Sequence, residues 1–355
     1  MKENFIKTVG HKKTGFFLIT AMHQLINVFE ASDYFSLETK ESHLLVMLEG
    51  PEKFAFQTYL DPRDWGSVVY MPRWHLKKYG YLRYIESVKL FHICVEKINR
   101  EILFCDFLFY CQYDLDYSNH LANVLKYNKA VLLDEGNGSI KYSELRANHI
   151  RTNRKQRSYS RIIKKYLLRF KLSRPKTLTF FSTYELFSNP VDEFVSHNYA
   201  YIGSKRVNRQ LVREEKVVFL GAPLVVSGIV DEEYYISLVS KVVHLFRDAK
   251  VVYRPHRNES PDLVNRLALR CALIVERSIY PIELELLKGG GPNEVISFYS
   301  AALNNINLIF GPSVHCNCIE FNFDNILTNR DRKQAIDVYG SYKRLESEYF
   351  KIYRV

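Results

Sequence analysis

Val131-Leu132-Leu133-Asp134-Glu135-Gly136 is the stretch on which the fold reading turns. A short apolar run ends in two carboxylates and a glycine, then opens into Asn137-Gly138-Ser139. The apolar body reads as a buried parallel strand, and its acidic tip lies at that strand's carboxyl end, where open α/β sheets bind ligands. Taken alone, it is an ordinary strand followed by an acidic turn. A second stretch on the same plan, Val251-Val252-Tyr253-Arg254-Pro255-His256-Arg257, follows about 120 residues later. One strand end offers a base; the other offers an acid and positive charge.

Between and around these two, strands alternate with helices. Thr14–Thr20 reads as the first strand and Gln24–Ala31 as its helix. His43–Glu49 with Lys53–Leu60 and Ser67–Met71 with the Arg83–Lys89 region repeat the unit. Glu101–Tyr110 reads as a long buried strand, Ser118–Tyr127 as a helix, and Thr177–Ser182 as the strand that closes the first domain. The polar passage from His197 to Lys216 reads as a connection between domains. Beyond it come strands at Val217–Leu220, Val251–Tyr253, Ala272–Val275, Asn293–Phe298 and Asn307–Phe310, with a helix at Glu232–Phe246. The tail Arg330–Ile352 is helical in pattern and is expected to fold back across the first domain. This order implies an α/β protein with two doubly wound parallel sheets facing across a cleft. The expected domains are residues 1–205, 206–330 and a helical tail, 331–355.

With 355 residues the chain is long for one core, which agrees with two domains. The 47% hydrophobic and 25% charged fractions are those of a globular protein with no membrane-spanning run. Gly15–Met22 is apolar, but His23 and Gln24 interrupt it and no cleavage site follows, so a secretory signal is not expected. The six cysteines lack paired metal-type spacing and read as reduced thiols of a cytoplasmic protein. Cys316-Asn317-Cys318 beside His315 is too tightly spaced for a zinc site.

The net charge of +11 favours a polyanionic partner: nucleic acid, anionic lipid, or a phosphorylated or acidic sugar. From Arg151 to Lys176 there are eleven Lys or Arg residues and no Asp or Glu, with apolar residues at helical spacing. That reads as a basic amphipathic helix, either packed on its own domain or resting on an anionic membrane surface. No helix-turn-helix, zinc finger or RNA-binding signature accompanies the charge, so a nucleic-acid partner is not expected.

Two further features lie in the second half. Glu283 sits between apolar neighbours, where a carboxylate needs a partner, and a ribose diol would supply one. Gly289-Gly290-Gly291-Pro292 reads as a turn before the strand at 293–298. Ser300 reads as the N-cap of a helix that begins where that strand stops, a place where free N–H groups and a hydroxyl can hold an anion.

In this order and spacing the residues resemble the bacterial sialyltransferases of the two-Rossmann-domain (GT-B) type, in particular the lipooligosaccharide sialyltransferase and capsule polysialyltransferase group. The family's acidic-acidic-glycine motif matches Asp134-Glu135-Gly136. Its His-Pro motif is represented by Pro255-His256-Arg257, with Asn258-Glu259 following, and its paired-serine motif by Tyr299-Ser300. Glu283 and Ser300 fall 27 and 44 residues after His256, close to the family's spacing for ribose and phosphate ligands. Thr20-Ala21-Met22-His23-Gln24 and Phe219-Leu220-Gly221-Ala222-Pro223 also match family landmarks. Three positions depart: Pro-His-Arg replaces His-Pro, Tyr299 replaces the first serine, and the acidic pair is Asp-Glu.

The resemblance implies an inverting, metal-independent transfer of sialic acid, or a related nonulosonic acid, from a CMP-sugar to the hydroxyl of an oligosaccharide or lipid-linked glycan, with no cofactor. Asp134 would take the acceptor's proton, and His256 with Ser300 would hold the departing phosphate. Glu283 would hold the ribose. Ser297, Tyr299, Gly221, Pro255, Arg254 and Arg257 would line the donor site, with Glu135, Gly136 and Gln24 in support. Another nucleotide sugar, CMP-Kdo-type or UDP-linked, is the alternative donor.

Overall fold

The computed structural model describes residues 12–74, 76–152, 166–205 and 212–355. The first sheet is built from β1 (Gly15–Ile19), β2 (His43–Val46), β3 (Ser67–Tyr70), β4 (Cys105–Tyr110), β5 (Tyr127–Leu133), β6 (Thr179–Ser182) and β7 (Glu193–Ser196). Their order is β3-β2-β1-β4-β5-β6-β7, and β1 lies parallel to both β2 and β4. Phe16, Phe17, Leu18 and Ile19 of β1 are all almost fully buried, as a central strand covered on both faces requires. Phe17 stacks on Phe109 of β4 with centroids 4.3 Å apart. The helices between these strands are α1 (Gln24–Tyr34), α2 (Gly50–Gln57), α3 (Leu76–Glu101), α4 (Asp116–Val124) and α5 (Gly138–Thr152). α3 is broken at Gly80, whose φ is 77°.

After α6 (Ala200–Lys205), a second sheet uses β8 (Val212–Leu220), β9 (Val251–Arg254), β10 (Ile274–Val275), β11 (Gly290–Ser297), β12 (His315–Glu320) and β13 (Phe350–Arg354). Its order is β10-β9-β8-β11-β12-β13, with all neighbours parallel. Counted from β8, that is 3-2-1-4-5-6, the doubly wound order whose direction reverses between β8 and β11. α7 (Glu232–Leu245), α8 (Pro261–Arg270), α9 (Ile282–Leu287), α10 (Ala301–Phe310) and α11 (Asn329–Lys343) alternate with these strands. The α/β class with two parallel sheets is therefore the observed architecture.

By its contacts the chain falls into two compact units that do not follow chain order. One comprises Met1–Leu133, Lys155–Phe180 and Val191–Glu193; the other comprises Asp134–Arg154, Phe181–Pro190 and Phe194–Val355. Asp134 and everything that holds it thus belong with the second sheet.

Several elements differ from the sequence reading. Glu101 ends α3, and the strand starts only at Cys105. β7, which the sequence reading does not include, follows β6 in the same sheet. The passage 197–216 is not a plain connection: it holds the buried His197, α6 and the start of β8. Residues 307–310 finish α10, because Leu303, Ile306, Ile309 and Phe310 recur at helical spacing and share a buried face. The glycine run is not a turn throughout, since β11 begins at Gly290 and absorbs a register shift between Pro292 and Glu294. In the tail, α11 is followed by β13, which pairs with β12 in the second sheet. Within that unit α11 reaches α5 through Lys333 and Glu144, 2.7 Å apart.

Half of the expected basic helix over 151–176, at 153–165, lies outside the described residues. Arg151 and Thr152 end α5, and the chain from Arg169 to Pro175 has no regular structure. Among the described residues no helix is long and apolar enough to cross a membrane. The six cysteines are free thiols, five of them buried. Cys316 and Cys318 lie two apart on β12 and fill the core, where burial pushes both thiols up.

Candidate active site

Three consecutive strand ends meet at Asp134. It follows β5 directly, Ser182 ends β6, and His197 lies just beyond β7. Ser182 Oγ donates to Asp134 Oδ1 at 2.6 Å, while the Thr183 N–H and hydroxyl donate to Oδ2 at 2.8 and 3.2 Å. Asp134 is 3% exposed. Burial pushes its carboxyl up, against hydrogen bonds from Ser139, Ser182 and Thr183 that favour the ionised form. The side chain is thus a fixed carboxylate with raised proton affinity, a property suited to a base. Its neighbour Glu135 is half-buried.

The acidic loop is bolted to the start of α10. Gly136 adopts φ 54° and passes so close that an added Cβ would stand 2.9 Å from the Ala301 Cβ. Asn137 Nδ2 donates to the Tyr299 carbonyl at 2.7 Å, and the Tyr342 hydroxyl of α11 donates to the Ser300 carbonyl at 2.7 Å. Ser300 caps α10 by accepting from the Ala302 N–H at 3.3 Å, so its own O–H is left to donate. The loop that follows Asp134 and the cap residue Ser300, far apart in sequence, therefore meet at one helix N-terminus.

The next turn of α10 extends the arrangement. Asn304 Nδ2 donates to Thr183 Oγ1 at 2.9 Å, which in turn donates to Asp134. Asn305 Nδ2 donates to Glu283 Oε1 at 2.9 Å, and the Tyr199 hydroxyl donates to Asn305 Oδ1 at 3.3 Å. Glu283, 4% exposed on α9, thus has a partner inside the chain.

At the reversal point of the second sheet, Ser297 Oγ of β11 donates to the Leu220 carbonyl of β8 at 2.9 Å. Gly221 comes next, and no other residue fits there: a Cβ would lie 2.2 Å from Glu259 Oε2 and 2.5 Å from the Tyr253 hydroxyl. Buried Glu259 takes hydrogen bonds from Tyr253 at 2.7 Å, Tyr235 at 3.0 Å and the His256 N–H at 2.6 Å. His256 is half-buried past the end of β9, and its Nδ1 accepts from the Asn258 N–H at 3.2 Å. Glu259 therefore shapes both the Gly221 and the His256 loops. Pro255 is half-buried, Arg257 is exposed, and Tyr299 is packed beside Phe321 and Tyr339.

Two expected residues are committed elsewhere. Arg254 forms ion pairs with Glu276 and Glu285, which neutralise the positive charge expected of it near a donor. Gln24 lies in the first unit, where its Oε1 accepts from the Thr20 and Ala21 N–H groups at 2.8 and 3.3 Å and shapes that loop. Among the described residues no three His, Cys, Asp or Glu side chains gather as a metal site.

Sequence reasoning passed over Ser182, Thr183, His197, Asn304 and Asn305. Ser182 was within reach, because a strand paired beside β5 must end near Asp134. His197 carried no such signal, lying in a passage whose polarity pointed to a surface connection.

No family model matches the chain, and no curated protein matches it. Among solved structures it is similar to an α/β-galactoside α-2,3-sialyltransferase from Photobacterium phosphoreum, with 10% identity over 96% of this chain and 98% of that one, at a TM-score of 0.45. It is also similar to the GT-B domain of a sialyltransferase from Photobacterium damselae, with 11% identity over 96% and 100% and a TM-score of 0.47. UGT89C1 of Arabidopsis thaliana, solved with UDP, gives 9% identity over 96% and 86% and a TM-score of 0.49. It is the order of the chain's own strands, not these likenesses, that fixes its fold class.

Proposed function

We propose that this chain is an inverting glycosyltransferase that moves sialic acid, or a related nonulosonic acid, from a CMP-sugar to a glycan hydroxyl without a metal. The observation that carries the reading is the acidic loop held against the capped N-terminus of α10. A carboxylate of raised proton affinity and a helix start with a free hydroxyl donor form a pair suited to deprotonating an acceptor beside a departing phosphate.

In this reading Asp134 takes the acceptor's proton as the oxygen attacks the anomeric carbon, through an oxocarbenium-like transition state. The leaving CMP is a phosphate monoester that carries its own charge away. Ser300, the first N–H groups of α10 and His256 receive it, with Gly221 and Ser297 supporting the nucleotide at the strand ends. The protein is proposed to work on the cytoplasmic side of a membrane, its basic stretch at 151–176 favouring an anionic surface.

The test is donor hydrolysis across CMP-, UDP- and GDP-sugars, then acceptor profiling with the preferred donor. The expected result is CMP-nonulosonic acid turnover that persists in chelator and is abolished by Asp134→Asn while CMP binding survives. Turnover of UDP- or GDP-sugars alone would replace the donor class. Activity lost in Glu135→Gln but kept in Asp134→Asn would move the base by one residue.

A further inference from the structure

The transfer as described so far gives His197 no part, yet the residue occupies an unusual place. Its side chain is 2% exposed, with Nε2 3.9 Å from Asp134 Oδ2. The ring stacks on Phe181, with centroids 4.0 Å apart and planes 4° from parallel, and meets Tyr199 edge-on at 4.8 Å. Neither ring nitrogen has a hydrogen-bond partner among the described residues. Buried polar atoms without partners are uncommon and destabilising. A phenylalanine would fill the same stack without that loss.

The two protonation states of Asp134 present different faces to this ring. An ionised carboxylate only accepts. If His197 carried its proton on Nε2, the contact would be charge-assisted and drawn in to roughly 2.7–2.9 Å. At 3.9 Å it is not, which fits an imidazole whose Nε2 lone pair faces the carboxylate. Such a pair gains nothing while Asp134 is ionised. Once Asp134 carries a proton it becomes a donor, and Nε2 is an unpartnered acceptor 3.9 Å away.

We propose that His197 is a positioning residue for Asp134, accepting at Nε2 a hydrogen bond from the Asp134 carboxyl once that group has taken a proton. The proposal rests on Asp134 being the base of the transfer. In the transfer step the acceptor's O–H bond breaks and its proton passes to Asp134. The freed electron pair forms the bond to the anomeric carbon, and the bond from that carbon to the phosphate oxygen breaks, with its pair leaving on CMP. His197 gains no net charge, and the contact closes from 3.9 Å to an ordinary hydrogen-bond length. Because this bond exists only when the proton has moved, it lowers the transition state and not the ground state. Ser139, Ser182 and Thr183 hydrogen-bond the Asp134 carboxyl, and the buried Tyr184 hydroxyl lies in the field of Asp134 together with Tyr199, Glu283 of α9 and Tyr342 of α11.

The experiment is an NMR titration of the Asp134 carboxyl carbon in the wild type and in His197→Phe, with Asp134→Asn identifying the resonance. The expected result is a midpoint that moves to lower pH in His197→Phe, because the acid form has lost its acceptor, and that returns towards wild type in His197→Gln. Turnover should fall about tenfold in His197→Phe with the acceptor KM unchanged, the effect of one ordinary hydrogen bond. His197→Leu gives the same comparison if the Phe variant does not fold. An unmoved midpoint with unchanged turnover would overturn the role of His197, whatever happens to Tm. Full turnover in Asp134→Asn would instead overturn the assignment of the base.

Discussion

Gly136 and Ala301 approach so closely that a Cβ placed on the glycine would stand 2.9 Å from the alanine's Cβ. This contact sets the acidic loop against the start of α10, and the left-handed φ of 54° makes glycine doubly necessary. Gly136→Ala should therefore lower stability by about 1–3 kcal/mol and turnover by more than tenfold. Urea unfolding and initial rates on the same preparation check both.

Glu259 couples the Gly221 and His256 loops through its bonds to two tyrosines and the His256 N–H. A glutamine keeps one acceptor oxygen and turns an NH2 towards a donor. Glu259→Gln should cost about 1–3 kcal/mol of stability. It should raise the donor KM more than it lowers turnover, because it displaces the His256 loop and leaves Asp134 untouched. Donor and acceptor kinetics, measured separately, decide this.

Asn305 is the partner that makes a buried Glu283 tolerable. Asn305→Leu removes that donor and should destabilise the fold by about 1–3 kcal/mol, while Asn305→Gln should recover part of the loss. Thermal unfolding of the two variants gives the comparison.

Acid should unfold this protein early, and two histidines give the sign. Burial holds His197 down to about 3 and, with His92 and Lys171 adding to it, His120 down to about 4, from an ordinary 6.5. Below pH 6.5 the unfolded chain binds protons that the folded chain refuses. The stability these neutral rings contribute is full above 6.5 and is lost as pH falls towards 4 and then 3. Urea midpoints taken from pH 7 to pH 4 should fall, and His197→Phe should flatten the slope by up to one proton. An equal slope in both proteins would contradict the burial-driven shift.

The sequence carried the repeating strand-helix order, both sheets' central strands and the strand ends that hold the candidate residues. Apolar runs such as Phe16–Ile19 and Val295–Ile296 are fixed by the need to bury both faces of a parallel sheet, and that need is written locally. The ends of the second sheet were harder to read. Asn307–Phe310 is apolar enough for a strand, and only its register with Leu303 and Ile306 on a common buried face makes it helix. Phe350–Ile352 reads as part of the helical tail, and only β12 supplies the partner that makes it a strand.

Which residues are neighbours was a different matter. By itself the chain determined that Asp134, Glu283 and Ser300 are candidates, because a carboxylate at a strand end and a hydroxyl at a helix start have local signatures. Only the tertiary structure decided that Asp134 leaves its own strand's unit to join the one that holds Ser300, that Asn305 partners Glu283, and that Arg254 is neutralised. It alone revealed His197 beside Asp134. Hydrogen bonds and burial act between groups 22 residues apart, as in Glu283 and Asn305, or 121, as in Thr183 and Asn304, and no local pattern in a single sequence encodes their distance.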